Sequence, residues 1–256
     1  MRILLLGYGK MGKVIERIAL ERGHSIVARI DADNQEELLE LSQAQGTDRY
    51  PDAAIEFSQP NSAFNNLQFC LHNNIPVVCG TTGWLEQKPV IEQLARDKAG
   101  LFFYASNYSI GVNLFFRFNK LLATWMNAFP QYEVSITEIH HTEKKDAPSG
   151  TAITLADTLV AGLDRKTDWR GDENLNSVQA AINEVAIHSL REGKVPGTHA
   201  VKYTSAVDTI EIIHTAHSRE GFALGAVVAA EWLAGQRLTG QSGAFGMEDM
   251  MAELKG

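Results

Sequence analysis

Short apolar runs alternate with longer amphipathic stretches over the first hundred residues. Residues 2–6 (RILLL) are continuously apolar, which predicts a strand buried on both faces. Val14, Ile15, Ile18 and Ala19 follow at helical spacing. A polar ERGH turn then leads into a second apolar run, Ile26 to Ile30. The rhythm repeats with AAIEF at 53–57, a helix from about Asn61 to Asn73, PVVCG at 76–80, a helix near 86–97 and LFFYA at 101–105. Short strands alternating with helices predict a doubly wound α/β domain with a parallel sheet and right-handed crossovers.

After Ser106 the period changes. Residues 110–129 predict a long helix rich in Phe, Leu and Trp. Beyond it, YEVSITE (132–138), NEVAIHSL (183–190), HAVKYTSA (199–206) and DTIEIIHTA (208–216) alternate with period two. That pattern predicts a half-exposed, antiparallel or mixed sheet in a second, α+β domain. Residues 164–181 are polar and less periodic, and predict a long loop. The last apolar helix, 221–235, needs cover on several faces, so the chain is expected to cross back. The expected division is 1–108 with 218–256 for one domain and 109–217 for the other.

The 256 residues carry a formal net charge of −8. That acidic, unclustered balance argues against nucleic acid or an anionic membrane as partner. No apolar run reaches transmembrane length, and the N-terminal run is too short for a signal-peptide core. Cys70 and Cys79 have no metal-ligand spacing and are too few for a disulfide framework. Reduced thiols in a cytoplasmic protein are the simplest reading.

Between the first strand and first helix lies Gly7-Tyr8-Gly9-Lys10-Met11-Gly12, a G-x-G-x-x-G turn. Gly7 permits the tight turn, Gly9 lets a pyrophosphate approach the backbone, and Gly12 lets the helix close on the strand. The helix N-terminus offers unpaired N–H groups to the phosphates. Asp31 ends the second strand, where a carboxylate accepts from a ribose. Its charge disfavours a 2′-phosphate and Ala32 offers no compensating base, so NADH is favoured over NADPH. Lys10 in the same loop weakens that preference. Gly80-Thr81-Thr82-Gly83 and Ser106-Asn107-Tyr108-Ser109 follow two further strands, at the sheet end where ligands bind in such folds. Turn chemistry alone would also explain both.

Residues 138–152, EIHHTEKKDAPSGTA, crowd His140, His141, Lys144, Lys145 and Asp146 together. A solvated surface loop is the ordinary explanation of such a charge run. Three features favour chemistry. Ser149 or Gly150 caps a helical pattern (Ala152, Leu155, Ala156, Leu159), which would present N–H groups and the Thr151 hydroxyl to an anion. Two lysines beside it suit a carboxylate. A histidine can exchange a proton near neutrality. His140, His141 and Glu143 lack zinc-protease spacing, so no metal is expected.

The motif E-x-H-H-x-x-K-x-D-x-P-S-G-T-A resembles the signature of the 4-hydroxy-tetrahydrodipicolinate reductase (dihydrodipicolinate reductase) family. GYGKMG, IEFSQP (55–60), GTTG (80–83), SNYSIGVN (106–113) and GFALGAVVAAEWL (221–233) fall in the family's order, so the resemblance spans nearly the whole chain. It implies a Rossmann-type domain plus an open mixed-sheet domain. It also implies NAD(P)H-dependent reduction of a small dicarboxylate in diaminopimelate and lysine synthesis, and a homotetramer built through the second sheet. By position, His140 matches the proton donor and Lys144 the catalytic lysine. His141, Gly150 and Thr151 match the groups that hold the substrate carboxylates. Gly7 to Gly12, Asp31, Gly80, Thr81, Thr82 and the loop Ala105, Ser106, Asn107, Tyr108 match cofactor contacts. Three positions depart: the glycine loop is one residue shorter than in many members, Glu56 replaces a common aspartate, and Ala32 replaces a common basic residue.

With the cofactor on one domain and the carboxylate clamp on the other, the expected chemistry requires domain closure, with hinges near 107–110 and 217–220. Two rivals are weighed. An acylating semialdehyde dehydrogenase needs a nucleophilic cysteine in its substrate domain, and both cysteines here precede residue 81. A nucleotide-responsive binding protein on the same fold would leave a proton donor beside a carboxylate clamp unexplained.

Overall fold

The computed structural model describes residues 1–172, 180–218 and 220–253. The chain divides into two compact units, Met1–Ile110 with Glu220–Gly256, and Gly111–Arg219.

The first unit opens with β1 (Arg2–Leu6), α1 (Lys10–Glu21), β2 (Ser25–Ile30), α2 (Glu37–Gln43), β3 (Ala53–Glu56), α3 (Pro60–His72), β4 (Val77–Cys79), α4 (Lys88–Asp97) and β5 (Leu101–Tyr104). The continuous run RILLL is a strand because both of its faces are covered. Ile3 and Leu5 enter one core with Ile15 and Ile18 of α1. Leu4 and Leu6 enter the opposite core with Leu67 of α3 and Ile91 of α4. Each fully buried Leu or Ile contributes about 1.5–3 kcal/mol by transfer, an upper value because unfolded chains already bury some surface. β1 pairs in parallel with β2 on one side and β3 on the other. The strand order therefore reverses between β1 and β3, and in such sheets that crevice is where ligands bind.

In the second unit, α5 (Ile110–Met126) precedes β6 (Glu133–His140), α6 (Gly150–Gly162), β7 (Asp168–Asp172), β8 (Glu184–Arg191), β9 (Gly197–Thr204) and β10 (Thr209–Ala216). The sheet order is β10-β9-β6-β8-β7. β9 is antiparallel to β6 and β10, and β8 is parallel to β6 and β7, so the sheet is mixed. Val134, Ile136, Val185, Ile187, Val201 and Tyr203 bury one face against α5 and α6. The Asn119 amide of α5 donates to the Leu155 carbonyl of α6 at 3.1 Å, tying the two helices.

β7 corrects the expectation of a loop over 164–181. The strand DWRGD has no apolar alternation because it lies at the sheet edge. Its pairing is fixed instead by its neighbour: Arg170 Nε donates to Glu184 at 2.9 Å, and the Asn183 amide donates to Thr167 at 2.8 Å. Residues 173–179 of that expected loop, and residue 219 of the second expected hinge, lie outside the described residues.

The chain then returns to the first unit through α7 (Glu220–Leu238), β11 (Gly243–Phe245) and α8 (Met247–Glu253). α7 is apolar nearly all round because Ala223, Ala226, Val227, Ala230 and Leu233 fill the core beside α1 and β3. β11 adds in parallel to β5 and completes a six-stranded sheet, β11-β5-β4-β3-β1-β2. No helix among the described residues is long and apolar enough to cross a membrane.

Candidate active site

At the carboxyl edge of the first sheet, the turn after β1 is shaped by its glycines. Gly7 has φ +92°, and a Cβ there would lie 2.2 Å from the Phe57 carbonyl oxygen. A Cβ at Gly12 would lie 2.3 Å from the Gly7 carbonyl oxygen, whereas one at Gly9 would face open space. Gly9 is the N-cap of α1 and carries no side-chain cap, so the first helical N–H groups are left for an incoming ligand. Lys10 is exposed and Met11 half-buried at the helix start. Asp31 is exposed, accepts from Ala32 N at 2.9 Å, and lies 3.4 Å from Tyr8 N in the turn. The Tyr8 hydroxyl donates to Glu16, which also pairs with Arg29.

The loops after β3, β4 and β5 share this edge and are cross-tied. Glu56, fully buried, accepts from Ser58 N at 3.1 Å, from the Asn66 amide at 3.4 Å and from Cys79 Sγ at 3.2 Å. Trp84 Nε1 donates to the Thr81 carbonyl at 2.7 Å. The Tyr108 hydroxyl donates to the Cys79 carbonyl at 2.6 Å. Tyr108 is thus a core side chain that fixes the Ala105–Tyr108 loop against β4, and its ring faces Phe57 with centroids 5.6 Å apart. Gly80, Thr82, Ser106 and Asn107 keep partial or full exposure, while Thr81 and Ala105 are buried.

In the second unit, polar groups gather at the carboxyl end of β6. Val134, Ile136, Glu138 and His140 alternate onto the core face, so the two apolar positions give way to two ionisable ones at the strand end. Register places Glu138 opposite His199 of β9 and Ser189 of β8, and His140 opposite Arg191. Glu138 is fully buried. It accepts from Ser149 N at 3.1 Å on each oxygen and lies 3.4 Å from His140 Nε2, 3.7 Å from His199 Nε2 and 3.5 Å from the Arg191 guanidinium. Burial alone would push its carboxyl up. The donors from His140, His199 and Ser149 outweigh this and hold it well below the usual carboxylate range. Burial also lowers the His199 imidazole, favouring its neutral form.

Ser149 is the hinge of this cluster. Its hydroxyl caps α6 by accepting from Ala152 N at 3.3 Å and lies 3.1 Å from His199 Nε2. The cap leaves the N–H groups of Gly150 and Thr151, the first two helical residues, without helical partners. Lys144 Nζ is 2.7 Å from both Asp146 oxygens, and the Arg191 guanidinium binds the Asp146 carbonyl at 2.6 Å, which folds the loop back on β8. His141 is half-buried, and Lys145 is exposed.

The structure therefore brings His140, Lys144, Gly150 and Thr151 to one end of the second sheet, and the glycine turn, Asp31 and both polar loops to one edge of the first. Sequence reasoning missed Glu138, His199 and Arg191 as a group. The available signal was ionisable residues on the core-facing phase of strands, Glu138 and His140 after Val134 and Ile136, and His199 before Val201 and Tyr203. Glu138, His140 and His199 are also the one His/Cys/Asp/Glu trio among the described residues close enough to hold a metal, with ligand atoms within 4.8 Å. Arg191, 3.5 Å from Glu138, makes the trio better suited to a charged hydrogen-bond cluster than to a cation.

Comparison with known proteins agrees with this layout. Residues 1–108 match the family model described as Dihydrodipicolinate reductase, N-terminus, and 111–251 that described as Dihydrodipicolinate reductase, C-terminus. A 4-hydroxy-tetrahydrodipicolinate reductase of Christiangramia forsetii is 46% identical over 254 residues, covering 99% of both chains. One of Clostridium novyi is 35% identical and covers 98% of both. A solved dipicolinate-bound dihydrodipicolinate reductase from Paenisporosarcina sp. TG-14 superposes with a TM-score of 0.73 over 97% of this chain and 98% of that one, at 24% identity.

Proposed function

The chain belongs to the dihydrodipicolinate reductase family, nicotinamide-dependent oxidoreductases that reduce 4-hydroxy-tetrahydrodipicolinate to tetrahydrodipicolinate in diaminopimelate and lysine synthesis, and from that premise we propose how its own residues divide the work. The first unit holds the dinucleotide, and the second holds the substrate and the contacts between subunits. The glycine turn suits a dinucleotide because Gly9 leaves open the space a Cβ would fill, above a helix N-terminus with no side-chain cap. Gly7, Tyr8, Lys10, Met11 and Gly12 line that turn. Gly80, Thr81, Thr82 and Ala105–Tyr108 line the nicotinamide end, with Tyr108 acting through its backbone. The reduced nicotinamide, when bound, would supply a hydride to C4 of the substrate ring once the C4 hydroxyl and a C3 hydrogen have left as water.

The chain supplies the rest. Gly150 and Thr151 N–H groups and His141 hold the substrate carboxylates. His140 protonates the carbon, toward C3, on which charge builds after reduction. Lys144 stabilises that charge, and Asp146 holds its ammonium in place until substrate arrives. The observation that carries this reading is Ser149. It caps the anion-binding helix start and, through Glu138 and His199, joins it to His140. Mixing freshly condensed pyruvate and aspartate semialdehyde with enzyme and NADH should give NADH oxidation. No oxidation above background would reject the reading.

Three finer points belong to the same proposal. NADH is preferred over NADPH, because Asp31 repels a 2′-phosphate, Ala32 adds no cation and Arg29 is engaged by Glu16. A higher kcat/KM with NADPH would overturn this. The enzyme is a cytoplasmic homotetramer assembled through the second sheet. That sheet has a face opposite α5 and α6 on which Ile213 is 58% exposed, and light scattering tests the assembly.

A further inference from the structure

Building on the reading of His140 as the proton donor, we infer that a buried Glu138–His199 pair grips its Nε2, so that Nδ1 is the nitrogen that delivers the proton. Glu138 and His199 are positioning residues in this account, since neither touches the substrate.

Three observations carry it. First, His140 Nε2 faces inward, 3.3 Å from His199 Nε2 and 3.4 Å from Glu138 Oε2, with the two imidazoles edge to face at 71°. Second, Nδ1 has no hydrogen-bond partner among the described residues, although the ring is otherwise tightly held. Third, the ring edge bearing Nδ1 is kept clear by a glycine: a Cβ on Gly197 would lie 2.9 Å from His140 Cε1 and 3.3 Å from Nδ1. The grip is rigid because it is built from strand register. Glu138 and His140 are two residues apart on β6, His199 is directly opposite Glu138 on β9, and Ser149 N pins both Glu138 oxygens.

The titratable and charged groups around His140 are Glu138, His199, Arg191 and the Lys144–Asp146 pair. Glu138 stays ionised and faces Nε2 at 3.4 Å. During turnover the Nδ1–H bond breaks as a C–H bond forms on the electron-rich substrate carbon. A neutral imidazole is left with its Nε2–H still on Glu138. Solvent returns the proton to Nδ1 after product departs.

The decisive measurement is 15N NMR of histidine-labelled wild-type protein, with the His140 signals assigned by their loss in His140→Gln. In its neutral ring, His140 should be the Nε2–H tautomer. The Nδ1–H tautomer would overturn the inference. In kinetics, Glu138→Gln should lower kcat by less than the roughly 100- to 10,000-fold expected of losing the general acid itself, with NADH affinity unchanged. In the same 15N spectra, Glu138→Gln should release His140 from a single fixed tautomer, because the acceptor at Nε2 is lost. An unchanged tautomer would reduce Glu138 to a structural role and refute the proposal. His199→Gln, which keeps a polar group near Nε2, should retain more activity than His199→Ala; equal losses would count against the grip. Activity lost in EDTA and restored by Zn²⁺ would assign the trio to a metal instead and overturn the inference. Near-normal turnover in His140→Gln would reject the proton-donor reading itself, whatever the tautomer proves to be.

Discussion

An alanine at position 12 would place its Cβ 2.3 Å from the Gly7 carbonyl oxygen, roughly 1 Å inside van der Waals contact. The turn has nowhere to retreat. Gly7 N donates to the Ile30 carbonyl at 2.8 Å, and the Phe57 carbonyl lies 2.2 Å from where a Gly7 Cβ would be. The strain must pass into α1, whose N–H groups the proposed function assigns to phosphate. Overpacking of this kind costs about 1–3 kcal/mol, or a fall in Tm of roughly 2–10 °C for a unit of this size. Shifting binding groups by about 1 Å should weaken NADH on the order of 100-fold, by analogy with misplacement at active sites. Gly9→Ala is the matched control. Gly9 has φ −74° and open space around its Cβ position, so its alanine should fold normally, with stability within about 0.5 kcal/mol. It should still lose NADH affinity at least about tenfold, because the methyl fills the space a pyrophosphate needs. Titration of NADH by fluorescence, beside thermal unfolding, separates the two. A Gly12→Ala protein with wild-type Tm and NADH affinity would refute the packing argument. A Gly9→Ala protein with wild-type affinity would refute the phosphate argument.

Stability should also fall as pH drops below about 6.5, the unperturbed histidine value. Burial lowers His199 and His214 in the fold, so the unfolded chain binds more protons in that window, and the native state loses ground as pH falls through the folded values. Glu138 remains ionised in the fold there and adds only a small slope of the same sign near pH 5, where the unfolded carboxyl begins to bind protons. Tm measured from pH 7.5 to 5 should decline, and less so in His199→Gln; a rising Tm would contradict the assignment. Burial pushes both Cys70 and Cys79 thiols up, with Glu56 adding to the effect. Neither should react with a thiol reagent until the protein unfolds, and rapid native labelling of either would count against the core as described. Lys144→Ala should lose more kcat than His140→Gln, since it forfeits both charge and positioning.

Much of the architecture was legible because burial on two faces writes itself plainly into RILLL, PVVC and LFFYA. The alternation in YEVSITE and HAVKYTSA likewise marked a sheet covered on one side. Elements held by their neighbours rather than by their own pattern were not legible. β7 is polar and takes its register from Glu184 and Asn183, and β11 is three residues at a sheet edge, too short for any period. α2 and α8 are seven residues each, and their Leu38, Leu41 and Met250 contacts supply what propensity does not. At the candidate site, the loop EIHHTEKKDAPSGTA announced charge and a helix start. What it could not announce was the cross-strand pairing of Glu138 with His199, because the two are separated by sixty residues of chain and joined only by register. Tyr108 shows the reverse case: a residue assigned to the cofactor loop by position has its side chain in the core.

The most direct test of the account is steady-state oxidation of NADH with saturating substrate by wild type and His140→Gln, with NADH affinity determined on the same preparations. The account predicts turnover by the wild type and a loss in kcat of roughly 100- to 10,000-fold in the variant, at unchanged NADH affinity. Near-normal turnover by His140→Gln would contradict it.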